Sequence, residues 1–364
     1  MSPNIIQREI IDLPEKQLQM LRSGWGSAAI DDTIVEAIVY LSDGYEVQGY
    51  IAYPKEVAEN RSSEVATGEV TEPRSHEVTT SPLTPLLKGE GKKNKLTDQD
   101  SLTSLPPDQN SVSASDESPI ASLLSNKSSY INLPSPLRRG VGGEVLPCII
   151  WNRGGSKERG AIDRFTAKGM FGQLASWGFV VFASSYRASF NDDLNDEFGG
   201  SDVDDILNLM EIAKDIPFAD TSRWAMEGWS RGGMMTYLAL RKRHDIKAAI
   251  ISGGITDVAE CCTHVPRIKV TLQQLAETEG MDAYEKRSAI NFADELPKDC
   301  KYLLLHGTKD DTIPPTQAIK ISEKFLELGV FFRLVLLEET DHFLKGKKKE
   351  VDALRREWLL KYVK

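Results

Sequence analysis

The stretch Glu227-Gly228-Trp229-Ser230-Arg231-Gly232-Gly233 constrains this chain more than any other. Before it, Arg223 to Glu227 reads as a short buried strand. After it, Met234 to Lys242 combines good helix formers with apolar spacing. A serine flanked by glycines between a strand and a helix calls for a tight, strained turn. There the backbones approach so closely that Cβ atoms have no room. The serine Oγ then projects above the sheet, with a helix N-terminus beneath it, which is the geometry of a nucleophile elbow. The bare G-x-S-x-G pattern is common by chance; the strand before it and the helix after it give it meaning.

Strands and helices alternate on either side of this turn. Pro147 to Trp151 is an apolar strand followed by Asn152-Arg153-Gly154-Gly155. Ile162 to Trp177 is a helix closed by Gly178. Phe179 to Ala183 is a continuous apolar run, as in a parallel strand covered on both faces. Asp202 to Lys214 is amphipathic through Val203, Ile206, Leu207, Met210 and Ile212. Strands at Ile246–Ile251, Tyr302–Leu305 and Phe331–Leu337 follow, with helices at Thr316–Leu328 and Val351–Lys364. The alternation predicts an α/β protein with a doubly wound, mainly parallel sheet, the α/β-hydrolase fold. Upstream, Thr33–Leu41 and Tyr45–Tyr53 flank the turn signal Ser42-Asp43-Gly44 and predict an antiparallel N-terminal hairpin. The first 30 residues are weakly patterned, with a short helix expected over Leu13–Leu21.

Composition changes abruptly after the hairpin. Residues 55–145 are rich in Ser, Thr, Pro, Glu and Lys, and Tyr130 is the only aromatic. Such a segment buries too little apolar area to offset chain entropy, so disorder is expected. The domain reading is therefore an N-terminal segment and hairpin at 1–54, a low-complexity insertion at 55–145, and a catalytic core at 146–364. A structureless stretch of that length inside a compact domain is unusual. Two segments within it suggest its origin. With one choice of synonymous codons for Pro82 to Gly91, the reverse complement read in a shifted frame encodes Pro-Ser-Pro-Leu-Arg-Arg-Gly-Val-Lys-Gly. That matches nine of the ten residues from Pro134 to Gly143. A palindromic DNA element inserted in frame accounts for this relation; an ordinary acidic linker is the alternative.

The formal net charge of −10 argues against a nucleic-acid partner. No apolar run reaches membrane-spanning length, and the first 30 residues lack a signal-peptide core, so a cytoplasmic protein without a membrane partner is expected. Cys148, Cys261, Cys262 and Cys300 have no metal-ligand spacing and read as thiols; neither metal nor cofactor is expected.

Ser230 needs a base, and the base needs an orienting carboxylate. Of five histidines, His76 lies in the insertion, His244 in a charged turn and His264 in an irregular region, while His306 ends a strand. His342 follows the last strand and leaves room for a strand-end acid after Ser230, in the order nucleophile, acid, histidine. That acid lies in His306-Gly307-Thr308-Lys309-Asp310-Asp311-Thr312-Ile313-Pro314. Asp310 heads a D-x-x-I-P spacing, whereas Asp311 reads as a loop carboxylate bonding its own turn. Asp341, adjacent to His342, points away from it on an extended loop. The oxyanion needs two donors: the backbone N–H of Arg231, and one from the turn at Asn152 and Arg153.

With these residues assembled, the chain from about Leu146 onward resembles the catalytic domain of the prolyl oligopeptidase family of serine peptidases. The marks are Arg153-Gly154-Gly155, Ser185-Tyr186-Arg187-Ala188-Ser189, Glu197-Phe198-Gly199-Gly200, Asp202-Val203-Asp204-Asp205, the elbow, His306-Gly307-x-x-Asp310 and His342. The resemblance implies a Ser230–Asp310–His342 triad acting on a small peptide or ester. Family members commonly carry Tyr or His before the two glycines of the oxyanion turn. Here that position holds Arg153, which either stabilises the oxyanion or pairs with a carboxylate; Asn152 is the candidate if the register slips by one. About 55 residues precede the insertion, too few for the family's β-propeller, and no repeat of 40 to 50 residues occurs. A carboxylesterase or acyl hydrolase with the same triad is the nearest alternative. A catalytically silent binding protein is a third, against which the complete triad argues. Oligomeric state is not legible.

Two measurements test the insertion reading. The gene is expected to contain an inverted repeat spanning the codons for Pro82–Gly91 and Pro134–Gly143. Removing residues 55–144 is expected to leave melting unchanged or slightly raised, because loop closure costs grow only logarithmically with length. Loss of solubility or activity would mean that the segment packs.

Overall fold

Leu146–Asn152 and Val180–Ser184 are buried at every position, so neither strand can border solvent. In the computed structural model they lie inside a nine-stranded sheet. The structure describes residues 4–59 and 145–364, apart from 190, 192, 193, 265 and 281, with the backbone alone at 264, 266–268 and 271. The strands are β1 (Ile5–Ile10), β2 (Thr33–Ser42), β3 (Tyr45–Pro54), β4 (Leu146–Asn152), β5 (Val180–Ser184), β6 (Ala219–Trp229), β7 (Ile246–Ser252), β8 (Lys301–Gly307) and β9 (Phe332–Leu337). Their order is β1-β2-β3-β5-β4-β6-β7-β8-β9. From β5 to β9 every pairing is parallel, while β1, β2 and β3 join antiparallel. This is an α/β-hydrolase sheet.

Helices cover both faces. On one lie α1 (Glu15–Trp25), α2 (Ser27–Asp31), α3 (Arg164–Ser176) and the closing α10 (Lys348–Tyr362), which bury Leu21, Phe171, Leu174 and Trp358. On the other lie α4 (Asp202–Ala213), α5 (Arg231–Lys242) and α9 (Thr316–Leu328), burying Ile206, Met234 and Phe325. Between β7 and β8 run α6 (Val258–His264), α7 (Pro266–Glu279) and α8 (Ala283–Arg287). Two-sided cover is why the inner strands read as unbroken apolar runs.

The β2–β3 hairpin turns at Asp43 and Gly44, both at positive φ (50° and 87°), the backbone that a two-residue loop between twisted strands requires. β1 was not legible in sequence. Five of its six residues are exposed, so it joins the sheet through backbone bonds to β2 without an apolar pattern.

The expected insertion lies outside the described residues except at its ends. At its start one boundary is corrected: residues 55–59 are helical, and Val57 is buried in the core that holds Ile51 and Leu146. The ordered domain therefore continues past Pro54, and a deletion must spare 55–59. Truncating Val57 to Ala is expected to cost roughly 1–3 kcal/mol by leaving a cavity, and to lower Tm by several degrees. Thermal unfolding of the variant checks this; an unchanged Tm would return these five residues to the insertion.

Candidate active site

Ser230 sits between the end of β6 and the first residue of α5 at φ 58°, ψ −124°, a backbone conformation that non-glycine residues rarely adopt. Its N–H donates to the Ser252 carbonyl at 2.8 Å, and its carbonyl accepts from Gly233 at 2.9 Å. Gly232 permits the turn. A Cβ there would lie 1.9 Å from the Asn152 carbonyl oxygen, so any other residue would push α5 off the end of β4. Ser230 remains half-buried at the carboxyl edge of the sheet, where open α/β sheets bind ligands.

The neighbouring strand ends bring Asp310 and His342 together. Asp310 Oδ2 lies 2.7 Å from His342 Nδ1. Gly307 makes this approach feasible, because a Cβ there would stand 2.4 Å from the Thr340 carbonyl and 2.5 Å from that of Asp341. Thr308 and Lys309 then donate to Leu337 and Thr340, zipping the end of β8 to the loop that carries His342. The imidazole is flanked by Trp229 and Phe343, with ring centroids 5.1 Å and 5.6 Å away. The Trp229 indole N–H also donates to the His342 carbonyl at 3.0 Å. The residue before Ser230 thus holds the histidine loop.

Burial alone would raise the Asp310 carboxyl. Donors from His306 and His342, the charge of His342 and the backbone N–H of Ile313 outweigh it and hold the group at about 2. A depressed carboxyl contributes stability that is fully present above its unfolded value of about 3.9 and is lost as pH falls toward 2. The Asp310 carboxyl is therefore held in its ionised form well below neutral pH.

The oxyanion side differs from expectation in its side chains. All five Arg153 donors are committed: Nε to Ser185 O, Nη1 to the carbonyls of Gly154 and Arg159, and Nη2 to Lys157 O and Ser189 Oγ. Arg153 is fully buried, and burial with the nearby Arg231 charge lowers it to about 10. It neither points at substrate nor pairs with a carboxylate. Asn152 is also buried, its Nδ2 donating to Thr236 Oγ1 at 2.9 Å. What approaches the nucleophile is the backbone beyond them: a Cβ on Gly154 would lie 3.2 Å from Ser230 Cβ. Arg231 begins α5, where the first N–H groups have no partner within the helix. Its guanidinium does separate work, donating to Gly155 O, to both Asp196 oxygens and to Asp202. Burial opposes charge on all three side chains. The mutual attraction raises Arg231 and lowers Asp196, whereas burial leaves Asp202 raised. Tyr186 lies under both guanidinium groups and donates its hydroxyl to Arg153 O at 3.0 Å.

Other candidates stand apart. Asp311 is exposed and accepts from Thr312 Oγ1. Asp341 accepts from the N–H groups of Phe343 and Lys345, capping its own turn. His244 is exposed; His76 and the His264 side chain lie outside the described residues. The four cysteines are buried and free. Sequence reasoning missed the Trp229 anchor, the partners of Arg231 and the contact of His306 with Asp310. The first two join residues distant in sequence, and only the H-G-x-x-D spacing hinted at the last.

A strained serine after a central parallel strand, with helix on one side and an Asp–His pair at the next strand ends, defines an α/β-hydrolase of the serine hydrolase class. The chain belongs to the prolyl oligopeptidase family, whose sequence profile matches residues 168–364, more than half of its length. It is similar to the uncharacterized peptidase YtmA of Bacillus subtilis, 26% identical over 184 residues, covering 50% of this chain and 69% of that one. It is also similar to bovine (Bos taurus) dipeptidyl peptidase 4, 26% identical over 149 residues, covering 41% of this chain but 19% of that one. Among solved structures, a Mycobacterium tuberculosis puromycin-hydrolyzing peptidase matches with TM-score 0.51 and 23% identity, over 63% of this chain and 36% of that one. The Pyrococcus horikoshii acylaminoacyl peptidase matches with TM-score 0.51 and 23% identity, over 61% and 38%. At that identity the structures speak to the fold. No helix among the described residues is long and apolar enough to cross a membrane.

The geometry separates the two neighbouring aspartates. Asp310→Asn is expected to lower kcat roughly 10³–10⁴-fold, since the amide cannot hold the histidine tautomer. Asp311→Asn is expected to stay within about twofold, its partner being a neighbouring hydroxyl. Steady-state kinetics of the pair decides; a larger loss at Asp311 would refute the assignment.

Proposed function

We propose that this protein is a serine-type peptidase that cleaves small peptide or related acyl bonds through Ser230, His342 and Asp310. The observation that carries the reading is the 2.7 Å contact from His342 Nδ1 to a buried Asp310, beside a serine held at positive φ. With Nδ1–H given to the carboxylate, Nε2 is the base. It takes the Ser230 proton as Oγ attacks the substrate carbonyl carbon. The tetrahedral oxyanion is met by the Arg231 N–H and by the backbone of the Gly154 turn. His342 then passes the proton to the leaving amine. Water, deprotonated by the same histidine, hydrolyses the acyl-enzyme and regenerates Ser230. Asp310 remains a carboxylate throughout and stabilises the imidazolium.

The family membership and the peptidase relatives support cleavage of amide bonds; the printed substrates of those relatives belong to proteins of which this chain covers a minor part. The acidic balance of −10 supports a small-molecule substrate over a nucleic acid. A cytoplasmic setting belongs to the same reading and rests on four cysteines that stand as thiols.

Ser230→Ala is expected to abolish labelling by a fluorophosphonate probe and to lower turnover more than about a thousandfold, with unchanged melting. Aminoacyl and prolyl anilides, assayed beside p-nitrophenyl esters, read the substrate class. Measurable anilide turnover supports the peptidase; ester turnover alone would make the protein an esterase. An unlabelled wild-type enzyme would overturn both.

A further inference from the structure

We infer that His306 is a positioning residue for the catalytic acid, so that the site uses two histidines on one carboxylate. The inference rests on the proposed triad. His306 is fully buried in β8, four residues before Asp310. Its Nε2 lies 2.9 Å from the Ile313 carbonyl and 3.2 Å from Asp310 Oδ2. Its Nδ1 is buried with no hydrogen-bond partner among the described residues. A proton on Nδ1 would be a buried donor without an acceptor, which costs about 1–3 kcal/mol. The ring proton therefore sits on Nε2, where a single N–H is shared between the Ile313 carbonyl and the carboxylate.

The consequence for Asp310 is that both oxygens are saturated. Oδ1 accepts from the N–H groups of Thr312 at 3.0 Å and Ile313 at 2.7 Å. Oδ2 accepts from His342 Nδ1 at 2.7 Å and from His306 Nε2 at 3.2 Å. With four donors on its two oxygens, the carboxylate cannot rotate about χ2 without losing some of these bonds. With its proton on Nε2 alone, His306 does not compete with the imidazolium that forms on His342. A charged donor at this point would weaken the attraction between Asp310 and His342 when catalysis needs it.

A loop staple would explain the Ile313 contact but not the Asp310 contact, and the experiment separates the two. His306→Met removes the donor at similar length. His306→Gln carries an amide N–H near the Nε2 position, and His306→Asn carries one near Nδ1, out of reach of Asp310. Kinetics are compared with the low-field proton resonance of His342 Nδ1, which reports its bond to Asp310. Expected for H306M is a loss of about 10–100-fold in kcat, with KM within about twofold and a weakened low-field resonance. H306Q is expected to recover kcat to within about threefold of wild type together with the resonance, and H306N is not. H306M retaining kcat and the resonance would overturn the inference, as would H306Q falling as far as H306N. If H306M does not fold, the Gln and Asn pair decides alone by the same criterion. Asp310→Asn is measured alongside. Its full activity would refute the triad itself, whereas an inactive D310N beside an active H306M would refute only the role of His306.

Discussion

The close contact between the α5 N-terminus and the end of β4 is the constraint on which the site is built. Gly232 lies against the Asn152 carbonyl with no room for a Cβ. The contact fixes α5 directly behind β4, and so tilts Ser230 into its positive-φ turn. It also brings the Gly154 backbone beside Ser230. The Arg153 side chain, next along from Asn152, is fully buried. A long cation pressed into that position must satisfy its donors internally. It does so with carbonyl oxygens and a serine hydroxyl, leaving none for a reaction intermediate.

A buried network supports this contact from below. Arg231 bridges Gly155, Asp196 and Asp202, joining the Gly154–Gly155 turn, the loop before α4 and the start of α4 itself. Desolvating such groups is expensive. Breaking a buried pair by removing one partner usually costs about 3–5 kcal/mol, because the remaining charge is stranded. The arrangement therefore acts less as a source of net stability than as a geometric lock. Each of its charges is tolerable only when all three segments are in place. Asp196 takes a further hydrogen bond from Ser156, which ties the turn to the same lock. A turn held in this way keeps its backbone N–H groups in place, and fixed donors are what an oxyanion site needs.

The histidine side is held by different means. Trp229 packs on the imidazole of His342 and donates to its carbonyl, so the residue adjoining Ser230 also holds the histidine loop. Gly307 and Gly232 play matching parts: each removes a Cβ where one strand end must touch another loop. Two such contacts, on either side of Ser230, convert four separate strand ends into one site.

The sequence by itself determined the sheet class and the elbow, and it set the proposed triad at successive strand ends. Apolar runs at Pro147–Trp151 and Phe179–Ala183 record two-sided burial in their composition. Glycines at Gly228, Gly232 and Gly307 record backbone contacts that no other residue permits. The order of Ser230, Asp310 and His342 along the chain follows from strand ends that a parallel sheet must align. Local pattern carries such information because each feature is a property of a short segment. It carried nothing for β1, which pairs through backbone groups common to every residue, nor for the helical residues 55–59, which blend into a polar composition. The destinations of the arginines were likewise decided only in three dimensions. Arg153 and Arg231 are both charged residues near Ser230, and sequence alone left the Arg153 side chain open to the oxyanion and said nothing of where the Arg231 side chain goes. Some of their partners are local, as Gly154 and Lys157 are for Arg153, but Ser185 and Asp196 come from segments that only packing brings alongside, and both side chains turn inward.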